Sequence, residues 1–282
     1  VVQGLAILGR VLVAADEFQC LNEDLRPNPA CDWLEQAGDV TNLVQPRRTE
    51  VQELLDAATS LRNGAPPQSG NLFKVQLASH SALAGTWVSN NLNWFGGGRQ
   101  VAIITPVLRE FALACMTWVG ANRTSQGAGP YTIGWETSDA KASEEFVVGL
   151  ALEDSNDLPS LGASLAAAAD PWIARDLSDW MDTQRRAQGR TTFSKGEIVR
   201  VVERAFSQRR RQRQGQGRRW SGMTVHGAKN REFDSVIVLW PAAVGGSDEQ
   251  KRRLLYNAVT RARSRCLVLV QATAQLRRAP FG

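Results

Sequence analysis

Two carboxylates, Asp16 and Glu17, stand at the end of the apolar run Val11–Ala15. A short continuous apolar run reads as a strand buried on both faces of a parallel sheet. Ligands of such sheets gather outside the carboxyl ends of the strands. Paired acids at that place suit magnesium–nucleotide chemistry, one carboxylate on the ion's water shell and the other orienting an attacking water. An ordinary strand end with solvated acids is the plainer alternative. Arg48 stands at an expected strand-to-helix turn, just before Thr49, where phosphate sites form. Arg261 lies at the edge of the buried arc of a helix expected over Lys251–Arg263, beside Asn257. A half-buried guanidinium there calls for an anionic partner, the alternative being an arginine that snorkels to water. Arg252, Arg253 and Arg263 point elsewhere on that helix and fit the snorkelling pattern. Arg209, Arg210, Arg211 and Arg213 open a basic, Gly/Gln-rich run that ends at Arg219 and Trp220. Arginine with an aromatic suits a single-strand backbone and its bases; a solvated loop is the alternative.

The elements that must position these residues alternate along the chain. Asn42–Val44, Phe73–Leu77, Val101–Thr105, Tyr131–Trp135, Val236–Leu239 and Cys266–Val270 read as strands. Thr49 and Gln52 have capping-box spacing, and Val51, Leu54, Leu55, Ala58 and Leu61 then share one helical face. Leu108, Phe111, Ala112, Cys115 and Trp118 form a second helical stripe. From about Ser138 to Gln214 the pattern is helical and polar. Strands alternating with helices argue for an α/β fold with a mainly parallel sheet, interrupted by a helical insertion.

Composition narrows the partners. The 282 residues carry a net charge of +5, and arginine outnumbers lysine 28 to 5. Arginine's planar fork suits phosphate, although a GC-rich genome accounts for most of such a ratio. The four cysteines are scattered and the chain has only two histidines, which argues against a zinc site. A reduced, cytoplasmic setting fits best. No apolar run reaches the roughly 18 residues of a membrane span, and Val1–Arg10, without a basic n-region or a small-residue cleavage site, does not read as a signal peptide. The chain starts without Met and enters a buried-strand pattern at once, so it reads as a cut into a longer protein.

The block from Thr224 to Phe233 and the block from Arg252 to Arg263 together resemble the last two nucleotide-site motifs of UvrD/Rep-type superfamily 1 DNA helicases. Their forms are T-[LV]-H-x-[AS]-K-G-x-E-F and R-R-L-x-Y-V-x-[VI]-T-R-A. Asp16-Glu17-Phe18-Gln19 is similar to the D-E-F-Q that follows the acidic strand in that family, and Gln45–Thr49 looks like its Q-N-Y-R-S block. The resemblance implies ATP and Mg²⁺ as cofactors, with Asp16 on the metal and Glu17 and Gln19 in the catalytic site. It implies that Arg48 and Arg261 reach the terminal phosphate and that Glu232 bonds the ribose. It places Thr224 and His226 beside single-stranded DNA.

It further implies a RecA-like parallel-sheet domain of the P-loop NTPase type with a helical insertion. Residues 1–40 would end a first RecA-like domain. Residues 41–137 and 220–282 would form the two halves of a second, with the insertion and basic run at 138–219. The implied activity is ATP-driven movement on DNA. The pattern is also departed from. Pro46 and Arg47 replace Asn and Tyr, Asn230 replaces a Gly, and no G-x-x-x-x-G-K-[ST] or G-D-x-x-Q is present. Asn tolerates a left-handed backbone, so the turn at position 230 survives. This chain alone is therefore expected to lack ATPase activity and to need a P-loop domain of the same protein. A degenerate regulatory subunit and a non-enzymatic nucleic-acid adaptor are the alternatives.

Overall fold

A computed structural model describes residues 16–21, 26–27, 29–36, 49–94, 99–136, 139–213 and 219–282. The strands expected at Val11–Ala15 and Asn42–Val44, and Arg48 itself, lie outside the described residues. In chain order the first elements are a 3-10 turn at Glu17–Gln19, α1 (Pro29–Gln36), α2 (Gln52–Arg62), β1 (Phe73–Leu77) and α3 (Ser81–Trp94). They are followed by β2 (Val101–Thr105), α4 (Glu110–Ala121), α5 (Asp139–Gly149), β3 (Ser155–Asp157), α6 (Leu158–Ala166) and α7 (Pro171–Gln188). The chain continues through β4 (Thr192–Ser194), α8 (Lys195–Arg213), β5 (Trp220–Thr224), β6 (Phe233–Trp240), α9 (Asp248–Val259) and β7 (Ala262–Val270).

Five strands form one sheet in the order β1-β7-β6-β2-β5, and every pairing in it is parallel. The apolar runs explain this. Val236, Val238 and Trp240 pack on one face with α2 and α9, where Leu54, Leu61, Leu255 and Val259 meet them. Ile237 and Leu239 pack on the other face with α3 and α4, through Val88, Leu92, Phe111 and Cys115. A strand covered on both faces needs apolar residues at every position rather than at alternate ones. The result is an α/β fold with a parallel sheet, consistent with the RecA-like architecture that the motifs imply.

Residues between β2 and β5 build a separate apolar cluster. Phe146, Leu161, Ile173, Leu177, Phe193, Ile198 and Val202 are buried together among α5–α8. The helical reading of this stretch stands, with the addition of a short antiparallel pair of β3 with β4. Among the described residues no helix is long and apolar enough to cross a membrane.

Four local expectations are corrected. Thr49 does not cap α2; the cap is Val51, without a side-chain bond. The Thr49 hydroxyl instead donates to the Arg263 carbonyl (2.6 Å) and accepts from the Val51 N–H. Tyr131–Trp135 is not a full strand. Its first N–H donates to the Val119 carbonyl, and its backbone pairs with β5 at one parallel bridge, between Trp135 and Gly222. The helix expected to reach Arg263 ends at Val259, because Ala262 already pairs with Phe233 as the start of β7. Arg253, expected at the surface, is 1% exposed.

Helices α3 and α4 approach closely at Gly85, where an added Cβ would stand 2.4 Å from Trp118 Cε3. Gly85→Ala therefore lowers the urea midpoint. Overpacking costs about 1–3 kcal/mol, which outweighs the roughly 1 kcal/mol that Ala gains over Gly in a helix.

Candidate functional site

At the amino ends of β6 and β7 the chain assembles several charged groups. Arg261 lies between the end of α9 and the start of β7. Its backbone carbonyl accepts from the Phe233 N–H (2.9 Å) and its own N–H donates to Ala258. The side chain is not half-buried but 3% exposed. Its Nε donates to the Asn257 carbonyl (3.0 Å) and an Nη to the Arg231 carbonyl (3.4 Å). Asn257 is fixed in turn by donating to the Arg253 carbonyl. These carbonyls orient the guanidinium. Beside it, Arg263 grips one oxygen of Glu232 through Nε (3.1 Å) and Nη (3.0 Å). The bond from Thr49 to Arg263 brings the residue next to Arg48 to this same edge. Glu232, Arg261 and Thr49 thus lie at one edge of the sheet, while Arg48 is outside the described residues.

The acidic pair is held elsewhere. Asp16 caps the 3-10 turn and accepts from both Arg62 nitrogens (2.8 and 3.1 Å) and from Gln19 Nε2 (2.7 Å). Burial alone would raise the Asp16 pKa, but the bonds from Arg62 and Gln19 outweigh it and hold the carboxyl below its usual range. Glu17 faces Arg26 at 3.4 Å, and Arg26 reaches Glu249 of α9 at 2.7 Å. Phe18 packs edge-on against Tyr256. Asp16, Glu17 and Gln19 therefore rest on α2 and α9 through Arg62, Arg26 and Tyr256. A carboxylate clasped on both oxygens by a guanidinium does not fit a metal's water shell. No group of three or more metal-ligating side chains occurs among the described residues.

The loop from Thr224 to Glu232 joins the two ends of the sheet. Thr224 closes β5 at its carboxyl end, level with Thr105 of β2. Its hydroxyl accepts from the Gly227 N–H (3.1 Å) and its carbonyl from Ala228. Val225 and Ala228 are buried on the α2/α9 face, which leaves His226 exposed between them. Crowding by the protein and then the charge of Lys229 hold the His226 pKa below its usual value. Asn230 takes the left-handed conformation expected of it, at φ +59°. Arg231 clasps Glu136 with two nitrogens, lies over the Phe233 ring and reaches Met223 Sδ. Sequence reasoning missed Glu136 and Arg62, because nothing in their neighbourhood marks them as partners of residues far away in the chain.

The basic run begins on a helix rather than in a loop. Residues 209–213 are the end of α8, and Arg209 is bonded to Asp170, which also caps α7. The side chains of Arg210, Arg211 and Arg213 lie outside the described residues. Arg219 stacks on Trp220 at 4.5 Å.

Two predictions follow from the loop. Asn230→Gly leaves stability nearly unchanged, whereas Asn230→Val, β-branched at a positive φ, costs about 1–3 kcal/mol in urea unfolding. The His226 ring titrates below pH 6.5 by NMR. Because the folded pKa is depressed, protonation favours the unfolded chain. This ring's contribution to stability is present above its unfolded pKa and is lost as pH falls through the folded one.

Comparison with known proteins bears on the same segment. Residues 222–269 match the family model for the UvrD-like helicase C-terminal domain. Among solved structures, the C-terminal domain of a possible DNA helicase from a Lactobacillus aligns over 84% of this chain and 92% of its own, at 14% identity and a TM-score of 0.40. No curated protein matches significantly. Both motif blocks, Thr224–Phe233 and Arg252–Arg263, fall within the segment that matches the family model.

Proposed function

We propose that the chain is the C-terminal part of an ATP-dependent helicase or translocase that couples ATP hydrolysis to movement on single-stranded DNA. It would work in the cytoplasm with a P-loop domain of the same protein. The observation that carries this reading is the course of residues 225–232, which leave β5 at its carboxyl end and enter β6 at its amino end. The DNA candidates Thr224 and His226 and the ribose candidate Glu232 thereby stand at opposite ends of one sheet, on one loop.

In this reading Arg261 and Arg48 meet the terminal phosphate, Glu232 meets the ribose, and Thr224 and His226 meet the strand. The chemistry that a nucleotide would supply there is transfer of its terminal phosphoryl group to water. Arg261 suits its part because the Arg231 carbonyl helps to hold it. A movement of the guanidinium toward or away from an anion pulls on Arg231, and Arg231 is part of the loop that carries His226. Helicase stepping needs such a mechanical link between nucleotide and strand. Asp16 and Glu17 would serve magnesium and the attacking water in the whole enzyme. With both Asp16 oxygens on Arg62, however, the arrangement described here does not fit the metal, and the mechanism assigns magnesium no step.

That same Arg62–Asp16 pair favours a second reading, a helicase-like regulatory subunit that binds nucleic acid without hydrolysis. Turnover by the full-length protein separates the two. In the first reading, Arg261→Ala and Arg48→Ala each lower ATPase turnover by on the order of 10³ or more, with single-strand affinity in the absence of nucleotide unchanged. Melting curves of the variants control for the burial of Arg261. Full-length protein without DNA-stimulated ATPase activity, or near-normal turnover in Arg261→Ala, overturns this reading in favour of the second.

A further inference from the structure

We propose that the groove at the amino ends of β1 and β7 is a second single-stranded nucleic-acid site, taking a flat base against Trp94 and its phosphate against Lys74 and Arg265. The inference deepens the nucleic-acid reading above and rests on it for the kind of ligand. Its residues belong to neither motif block, and β1 is the opposite edge strand of the sheet from β5, which carries Thr224.

The groove is lined by Asn71, Lys74, Trp87, Asn91, Trp94 and Arg265, with a volume of about 290 Å³. That lies near the lower bound of small-ligand pockets, roughly 300 Å³, and suits one base better than a larger molecule. Trp94, the last residue of α3, is 64% exposed. It is also held in place, because the Arg265 guanidinium lies 3.6 Å from the ring centroid. A large aromatic that is both fixed and exposed is a stacking platform. Any base can use it, since every base has a π-face. A second cation–aromatic pair, Lys74 on Trp87 at 5.6 Å, lies in the same groove.

The electrostatics favour an anion. Burial, followed by the like charge of Arg99, acts against the charged form of Arg265, and Glu53 acts for it. Glu53 is also engaged by the N–H groups of Leu72 and Phe73 at 2.6 and 2.9 Å. A phosphate between Lys74 and Arg265 would lessen the repulsion between Arg99 and Arg265. The Asn71 amide, exposed on the rim, offers hydrogen bonds to a base edge.

The test titrates the 282-residue chain with an oligothymidylate and, separately, with AMP, and maps ultraviolet crosslinks by mass spectrometry. Crosslinking at Trp94 is expected. Trp94→Ala, an exposed site where folding is readily confirmed by circular dichroism, weakens oligonucleotide binding roughly 5- to 100-fold, the range for loss of one stacked base. Lys74→Gln with Arg265→Gln flattens the slope of log K against log salt by about 0.7, the amount for the one phosphate they share. Thr224→Ala and His226→Ala report on the other site. If they abolish binding while Trp94→Ala binds as the parent does, this inference is overturned and the DNA role of the loop stands. Binding of AMP as tight as that of the oligonucleotide, displaced by Trp94→Ala, makes the groove a mononucleotide pocket and overturns the strand assignment. A chain that binds no oligonucleotide overturns the inference, since the whole groove lies within it.

Discussion

Parallel strands cannot be joined by a tight turn, because the chain must return from the carboxyl end of one strand to the amino end of the next. Such returns usually take a dozen or more residues and a helix. Between β5 and β6 the return is made by residues 225–232, and it passes β2, which lies between the two strands in the sheet. So short a path must hug the sheet, and Val225 and Ala228 are the residues that bury it there. Asn230 supplies the left-handed bend that ends it. Everything assigned to function in this half of the chain depends on that return. It sets Thr224 and His226 at one end of the sheet and Glu232 at the other.

Charge pairing fixes the loop further. Arg231 is clasped by Glu136, and Glu136 is tied by its N–H to the Gly222 carbonyl on β5 (2.6 Å). Trp135 lies so close to Gly222 that an added Cβ would stand 2.9 Å from its ring. The segment before the insertion, strand β5 and the exit of the loop therefore form one connected unit. Arg261 joins it through the Arg231 carbonyl. The acidic pair at Asp16 and Glu17 is held by Arg62, Arg26 and Tyr256, and Arg26 connects it to Glu249 of α9.

Much of this was legible in the sequence. The buried strands announced themselves as unbroken apolar runs, and the two motif blocks singled out Arg261, Glu232, Thr224 and His226 as candidates. Helix α3 escaped because Ser, Thr and Asn residues break up the Ala84–Val88–Leu92 stripe. Strand β5 escaped because Trp220–Thr224 holds a Gly and a Ser where a buried strand normally has large apolar groups. The burial of Arg261 and Arg253 was underestimated because a charged residue is normally taken to the surface unless its partners are known. Arg231 and Glu136 are 95 positions apart, and no local pattern links them. The pairings of Arg62 with Asp16 and of Arg209 with Asp170 were hidden for the same reason.

The central claim is that the loop from Thr224 to Glu232 carries free energy between a nucleotide edge and a DNA edge. Linkage gives this claim a direct measurement in the full-length protein. The affinity for single-stranded DNA is measured with and without a non-hydrolysable ATP analogue, and the affinity for the analogue with and without DNA. The account predicts equal factors in the two directions, in the usual range of about 5- to 150-fold. It also predicts that Glu136→Gln, which loosens Arg231, brings both factors close to one while each ligand alone still binds. Coupling that survives Glu136→Gln at full strength would contradict the account.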